Sequence, residues 1–245
     1  MRYESLTQEF TADNFPDWIC PECGVGSLKE KEGTFHSAHT KKSRDSFDPE
    51  SYDTQDESYV FTCILECSRQ SCREVVACNG VGRGDLVEVD DIHLEMAVTF
   101  YRVTHFVPTL KAFSLPEHYP EKICTALVNA FGLFLSYPSA AANSIRIAVE
   151  ELMNDLGVAA KEDEGRFISL DKRLKKIPQK YSEFQGRLSA IKWLGNAGSH
   201  TYDKVKISDI EKAFEIIEYV LSRIYDESAI KTAKLAEEMT MRHKN

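Results

Sequence analysis

The stretch Tyr59-Val60-Phe61-Thr62-Cys63-Ile64-Leu65-Glu66-Cys67-Ser68-Arg69-Gln70-Ser71-Cys72 decides how the N-terminal half is read. Tyr59 to Cys67 is rich in aromatic, β-branched and aliphatic residues, the composition of a strand. A short polar loop separates Cys67 from Cys72, and Glu74-Val75-Val76-Ala77-Cys78 resumes the β character, so a hairpin spans the cysteine pair. Upstream, Trp18-Ile19-Cys20-Pro21-Glu22-Cys23-Gly24 reads as a tight knuckle, in which two thiolates reach one tetrahedral ion while backbone N–H groups point at the sulfurs. Cys20, Cys23, Cys67 and Cys72 then form a closed shell with no position for water. The expected metal is a structural, non-catalytic zinc ion.

Cys63 and Cys78 also flank the second knuckle. Their strand neighbours, Phe61, Ile64 and Leu65 for one and Val75-Val76-Ala77 for the other, mark them as buried thiols rather than ligands. His36 and His39 have a metal-compatible spacing, but the cysteines already complete the shell.

Outward from the knuckles, residues 1–17 are polar and aperiodic and read as an arm. Residues 27–58 are rich in Lys, Glu, Asp, Ser and His and almost lack aliphatics, so they read as a long mobile insertion between the halves of the metal site. Asn79-Gly80-Val81-Gly82-Arg83-Gly84 reads as a turn; no Lys-Ser/Thr follows, which excludes a phosphate loop. Residues 95–106 alternate, with Met96, Val98, Phe100 and Arg102 on one face, extending the β-module to about Val107.

After Pro108, Pro116 and Pro120 the period becomes helical. Ile123, Leu127, Ala130, Phe131 and Phe134 mark one helix, and Ile145, Val149, Leu152, Met153 and Leu156 a second that Gly157 terminates. A short helix through Leu170, Leu174 and Ile177 stops at Pro178. A fourth runs from about Tyr181 to Leu194, a fifth from Ile207 to Tyr225, and Glu227 to Lys244 forms an exposed last one. The expected fold class is α+β: an arm at 1–17, a zinc-ribbon β-module at 18–107 with the polar insertion at about 27–58, and an all-α helical domain at 108–245.

The chain has 245 residues, 42% hydrophobic and 28% charged, the balance of a globular protein of two domains. Nothing approaches the roughly 18–20 apolar residues of a membrane span, and Met1-Arg2-Tyr3-Glu4 opens no signal peptide, so a cytoplasmic location with no membrane partner is expected. Seven cysteines, an odd number, fit metal ligation plus buried thiols rather than a disulfide scaffold. A net charge of −9 excludes a globally basic nucleic-acid binder. Contact with nucleic acid would be local, at Lys41-Lys42-Ser43-Arg44 or Lys172-Arg173-Lys175-Lys176, which are otherwise solvated surface.

The segment Ala190-Ile191-Lys192-Trp193-Leu194-Gly195-Asn196-Ala197-Gly198-Ser199-His200 stands out because each glycine within a helix costs about 1 kcal/mol relative to alanine. Lys192, Asn196 and either Ser199 or His200 share a face. Two readings are open. Asn196 and His200 cap the helix while Gly198 permits close helix approach, or His200 is an acid or base beside a ligand that Asn196 positions.

Three separated segments carry a resemblance over roughly 113–225: Leu115-Pro116 with Pro120, Ala141-Ala142-Asn143-Ser144-Ile145-Arg146 with Glu150, and the glycine-bearing segment ending at His200. There the sequence resembles the bacterial domain-of-unknown-function (DUF) 4145 family, many members of which have similar upstream cysteine knuckles. That family belongs to the HEPN-like helical bundles, which pair as dimers and are associated with restriction, toxin–antitoxin and phage defence. The resemblance implies a HEPN-like antiparallel bundle and a homodimer formed through the helices bearing His200. It also implies a defence-related role with RNA as ligand.

Active HEPN ribonucleases carry an Arg, a short spacer and a His, often with Asn directly after the Arg, and cleave RNA without metal. Asn196 and His200 match the Asn and His, whereas the Arg position falls on Gly195, which offers no charge for a phosphate. Lys192 one turn earlier, or Arg146 from a neighbouring helix, would supply it; Arg146 and Glu150 are equally i,i+4 ion-pair partners. The resemblance therefore implies either RNA binding with cleavage by His200, Asn196, Lys192 and Arg146, or a non-catalytic adaptor. The adaptor would dock a degenerate cleft on a nuclease, helicase or toxin of a defence system.

Overall fold

The structure, a computed structural model, describes residues 4–47, 50, 53–89, 94–162, 165–200 and 205–243. The fold is α+β, in two compact units: Met1–Ser114 with Phe131–Tyr137, and Leu115–Ala130 with Pro138–Asn245.

The first unit contains α1 (Glu4–Thr7), β1 (Leu28–Glu30), β2 (His36–His39), α2 (Lys41–Asp45), a 3₁₀ turn at Thr54–Asp56, β3 (Ser58–Cys67), β4 (Val75–Val89) and β5 (Leu94–Val107). The strands form an antiparallel sheet of order β1-β3-β4-β5, with β2 also paired to β3. Along β3 the period-two pattern is plain: Phe61, Cys63, Leu65 and Cys67 are buried while Val60 and Thr62 are exposed. On the inner face Phe61 packs against Phe10, Phe35 and Tyr101 at ring distances of 5.6, 5.4 and 5.3 Å. Trp18 meets Phe106 at 5.1 Å.

The sequence reading needs three corrections here. The described part of the 1–17 arm, residues 4–17, packs on the sheet: Leu6 and Phe10 are buried, and Phe10 exchanges backbone hydrogen bonds with Tyr101 at 3.0 and 2.7 Å. Two apolar side chains that complete a core anchor an otherwise polar segment. Within the described residues of the 27–58 insertion, β1 and β2 lie end to end along one edge of β3, where ladder hydrogen bonds, rather than apolar side chains, hold them. The glycines at 80, 82 and 84 lie inside β4 and not in a turn, with a register shift at Asn79/Gly80. A Cβ at Gly80 would sit 2.1 Å from the Arg102 carbonyl oxygen, and one at Gly84 2.2 Å from that of Thr54. Close backbone approach, not chain reversal, is what these glycines permit.

The second unit is helical: α3 (Glu121–Leu133, whose last residues group with the first unit), α4 (Pro138–Asp155), α5 (Leu170–Leu174), a 3₁₀ segment at Gln179–Phe184, α6 (Gln185–His200), α7 (Ile207–Ile224) and α8 (Glu227–His243). Gly157, at φ +75°, follows α4 as its C-cap. The α7 stripe Ile210, Phe214, Ile217, Val220, Leu221 and Ile224 is buried throughout. Among the described residues no helix is long and apolar enough to cross a membrane.

Candidate functional site

Cys20 and Cys23 sit on the loop before β1, Cys67 ends β3, and Cys72 closes the loop to β4. Pairing of Leu28 with Cys67 and the bond from Ser68 N to Ser27 O bring the two loops together. The four sulfurs lie within 4.8 Å of one another, with Cys20 Sγ 3.7 Å from Cys72 Sγ and Cys23 Sγ 3.8 Å from Cys67 Sγ. A tetrahedron with metal–sulfur bonds of about 2.3 Å has sulfur–sulfur edges of about 3.8 Å, so the cluster matches the size of a four-thiolate metal shell. All four are free thiols, and this donor set suits a soft or borderline transition metal.

Backbone N–H groups tune the set. Those of Val25 and Gly26 point at Cys23, the latter at 3.3 Å, and pull its thiol down to about 6. Burial pushes Cys20 up to about 12 and Cys67 upward as well, so as thiols these two resist ionisation until a cation is present. His36 and His39 take no part: both lie in β2, and His39 Nδ1 is 3.0 Å from Ser43 Oγ.

One residue of this site escaped the sequence reading. A Cβ on Gly26 would lie 2.4 Å from Cys67 Sγ and 3.4 Å from Cys23 Sγ. The available signal was a small residue three places after Cys23. Gly26→Ala is expected to weaken metal affinity by about tenfold or more, as outer-shell changes at metal sites do. Competition with a chromophoric chelator measures it.

The second candidate site surrounds α6. Its glycines receive α4: a Cβ on Gly195 would lie 2.6 Å from Arg146 Cβ, and one on Gly198 2.5 Å from the Ser139 carbonyl oxygen. The proposed cations are both engaged. Arg146 Nη2 is 2.8 Å from Glu150 Oε1, although its Nε is buried without a partner. Lys192 is buried and its Nζ donates to Asp171 Oδ1 at 2.6 Å while lying 4.0 Å over the Trp193 ring. Asn196 is half-buried on α6. His200 ends that helix, and its side chain lies outside the described residues.

Asp171, in α5, was missed, since nothing in a helix-start acid announces a partner on another helix. It also binds Lys175 at 2.9 Å. Hydrogen bonds from Lys192 and Lys175 hold its carboxyl at about 2, below the ordinary value near 3.9. A lowered folded-state value means that this pair stabilises fully above about pH 4 and that the contribution is lost as pH falls toward 2. Asp171→Asn is therefore expected to melt lower than wild type at pH 7 and to lose that acid-limb dependence, as thermal melts from pH 7 to 2 would show.

The basic runs are less available than the sequence suggested. Arg173 is buried, donating to Asn154 Oδ1 at 2.6 Å and to the Val158 carbonyl oxygen at 2.9 Å. Ser43 is buried and Arg44 Nη1 donates to the His39 carbonyl oxygen. Both segments form helices whose inward residues face their own unit.

Fold and site together define a protein with a cysteine-knuckle β-sheet unit, able to hold one metal ion, and a separate helical unit. Residues 128–242 match the model of the family described as Domain of unknown function (DUF4145), which supports that family for this helical segment. Residues 8–110 match a second model, Domain of unknown function (DUF8608). No curated protein and no solved structure matches the chain.

Proposed function

We propose that this is a cytoplasmic, zinc-structured adaptor of a bacterial defence-type system, whose HEPN-like helical unit binds a protein partner and performs no RNA chemistry. The observation that carries this reading is the packing at Gly195. The resemblance puts the ribonuclease arginine there, and α4 fills that space with the stem of Arg146. Lys192, the nearest substitute on the same helix, is buried in an ion pair with Asp171. A cation so held cannot swing to a phosphate without leaving Asp171 and exposing a buried stem. Four thiolates at this spacing support zinc as the metal, and a shell with no open position supports a structural role for it.

The test is a metal-free cleavage assay on diverse RNAs with wild type and His200→Ala. Indistinguishable, background-level rates are expected; cleavage that depends on His200 would sink the adaptor reading. Metal analysis and the charge-transfer spectrum of a cobalt-substituted sample check the zinc assignment.

One observation favours the second reading, a homodimer that binds and cleaves RNA. The stem of Arg146 lies directly over Gly195, on the helix that bears Asn196 and His200. In that reading Arg146 replaces the missing arginine. Arg146→Ala would then abolish His200-dependent cleavage and lower RNA affinity, and the dimer would form through the helical unit.

A further inference from the structure

The thiols outside the metal cluster are arranged more specifically than buried small side chains require. Cys63 of β3 and Cys78 of β4 are direct partners in the sheet register, and both are buried on its inner face. The bond from Cys67 N to Glu74 O marks that pair as hydrogen-bonded. Counting back in steps of two along the ladder puts Cys63 and Cys78 at the same kind of position. Opposed residues there have Cα atoms about 5.5 Å apart, within the Cα separations that disulfides span, and a small inward shift of the two strands would bring the sulfurs to bonding distance.

The edge strand is open over this pair. Register places Glu30 opposite Leu65 and His36 opposite Thr62, so residues 31–35 on the edge face only Cys63 and Ile64 on β3. Half-buried Thr34 bridges the excursion, with its hydroxyl 3.9 Å from Cys63 Sγ and 3.0 Å from the Ile64 carbonyl oxygen. Cys63 thus lies beneath a loop rather than beneath a continuous ladder.

We propose that Cys63 and Cys78 are an oxidation site, a dithiol that a small peroxide converts to a cross-strand disulfide while the four metal-site cysteines keep their ion. Cys78 donates a hydrogen bond to the Cys63 sulfur, which holds the Cys63 thiol below its ordinary range and raises that of Cys78. Cys63, the one of the two that lies against the Thr34 excursion, is the nucleophile. Its thiolate attacks one peroxide oxygen, the O–O bond breaks, and the departing hydroxide takes the proton Cys63 had released, giving a sulfenic acid and water. The Cys78 sulfur then displaces the sulfenic hydroxyl, its own proton leaves with that group as a second water, and the S–S bond forms. Two thiols are oxidised by two electrons and one peroxide is reduced to two waters.

The experiment treats the metal-loaded full chain with limiting hydrogen peroxide, then alkylates under denaturing conditions and maps peptides before and after reduction. Expected are the loss of two of the seven thiols per chain, a peptide linked through Cys63 and Cys78, full retention of the metal, and reversal by dithiothreitol. A linked peptide that joins any of Cys20, Cys23, Cys67 or Cys72 with release of metal would overturn the proposal. So would alkylation of both Cys63 and Cys78 after the peroxide is consumed. Mapping needs no variant; Cys78→Ala adds that the cross-link disappears and Cys63 proceeds to the sulfinic acid.

Discussion

Replacing Gly195 by arginine, which restores the residue that the HEPN resemblance would place there, is expected to lower the melting temperature of the helical unit by roughly 10 °C and to create no ribonuclease. The first side-chain atom already lacks room, since it would sit 2.6 Å from Arg146 Cβ, 2.8 Å from Arg146 Cδ and 3.2 Å from the Ala142 carbonyl oxygen. Overpacking of this kind costs about 1–3 kcal/mol. Helix propensity returns at most about 1 kcal/mol to alanine in place of glycine. Arginine adds a long stem that must displace Arg146 from Glu150, so a net loss of about 3 kcal/mol is reasonable, and a few degrees per kcal/mol gives the stated shift. Gly198→Ala should do as badly, because the obstacle 2.5 Å away is the Ser139 carbonyl oxygen, which no rotamer change moves. Gly186, in the first turn of the same helix, has nothing within 4 Å and supplies the control: Gly186→Ala should melt at or above wild type. Melting curves that rank the variants otherwise would mean that the α4–α6 contact is looser than the structure has it.

The same glycines show how far the sequence could be read. The grouping of the four cysteines was legible because cysteine spacing is a local signal, and the helices because an apolar stripe at a period of 3.6 survives with no knowledge of its partner. What was not legible depended on who lies across the way. Gly80 and Gly84 look like a turn in a string of letters, and only the approach of Arg102 and Thr54 makes them strand residues. Phe10 sits in a polar segment and gives no periodic cue, yet it pairs with Tyr101 and joins the aromatic core. Lys192 reads as a surface cation until Asp171 arrives from another helix, and Arg173 sits in a basic run although it is buried. Composition predicted a mobile 27–58 segment by counting aliphatics, but an edge strand is held by its backbone, which composition does not see.

Removing the metal, by a strong chelator or by Cys67→Ser, is expected to unfold both knuckles while the helical unit keeps its melting temperature. Structural zinc in small cysteine sites contributes about 10–16 kcal/mol of apparent binding free energy near pH 7, as large as the whole stability of a typical domain, about 5–15 kcal/mol. Cys20, Leu28 and Cys67 are buried at the cysteine cluster, so with no ion bound the two loops would have only short ladders to hold them. Trp18 reports the change. It is fully buried beside the first knuckle, whereas the other tryptophan, Trp193, is 65% exposed on α6. Its emission should therefore shift to the red and weaken on chelation, with loss of hydrogen-exchange protection across 18–28 and 67–75. The aromatic cluster around Phe61 and Tyr101 should hold longer, since its contacts lie along β3 and β5 away from the sulfurs. Acid should act as the chelator does: each bound thiolate that reprotonates releases the ion, so affinity falls as pH drops, and it falls steeply because four sulfurs are involved. Full metal stoichiometry in Cys67→Ser would remove that cysteine from the shell and require a different fourth ligand.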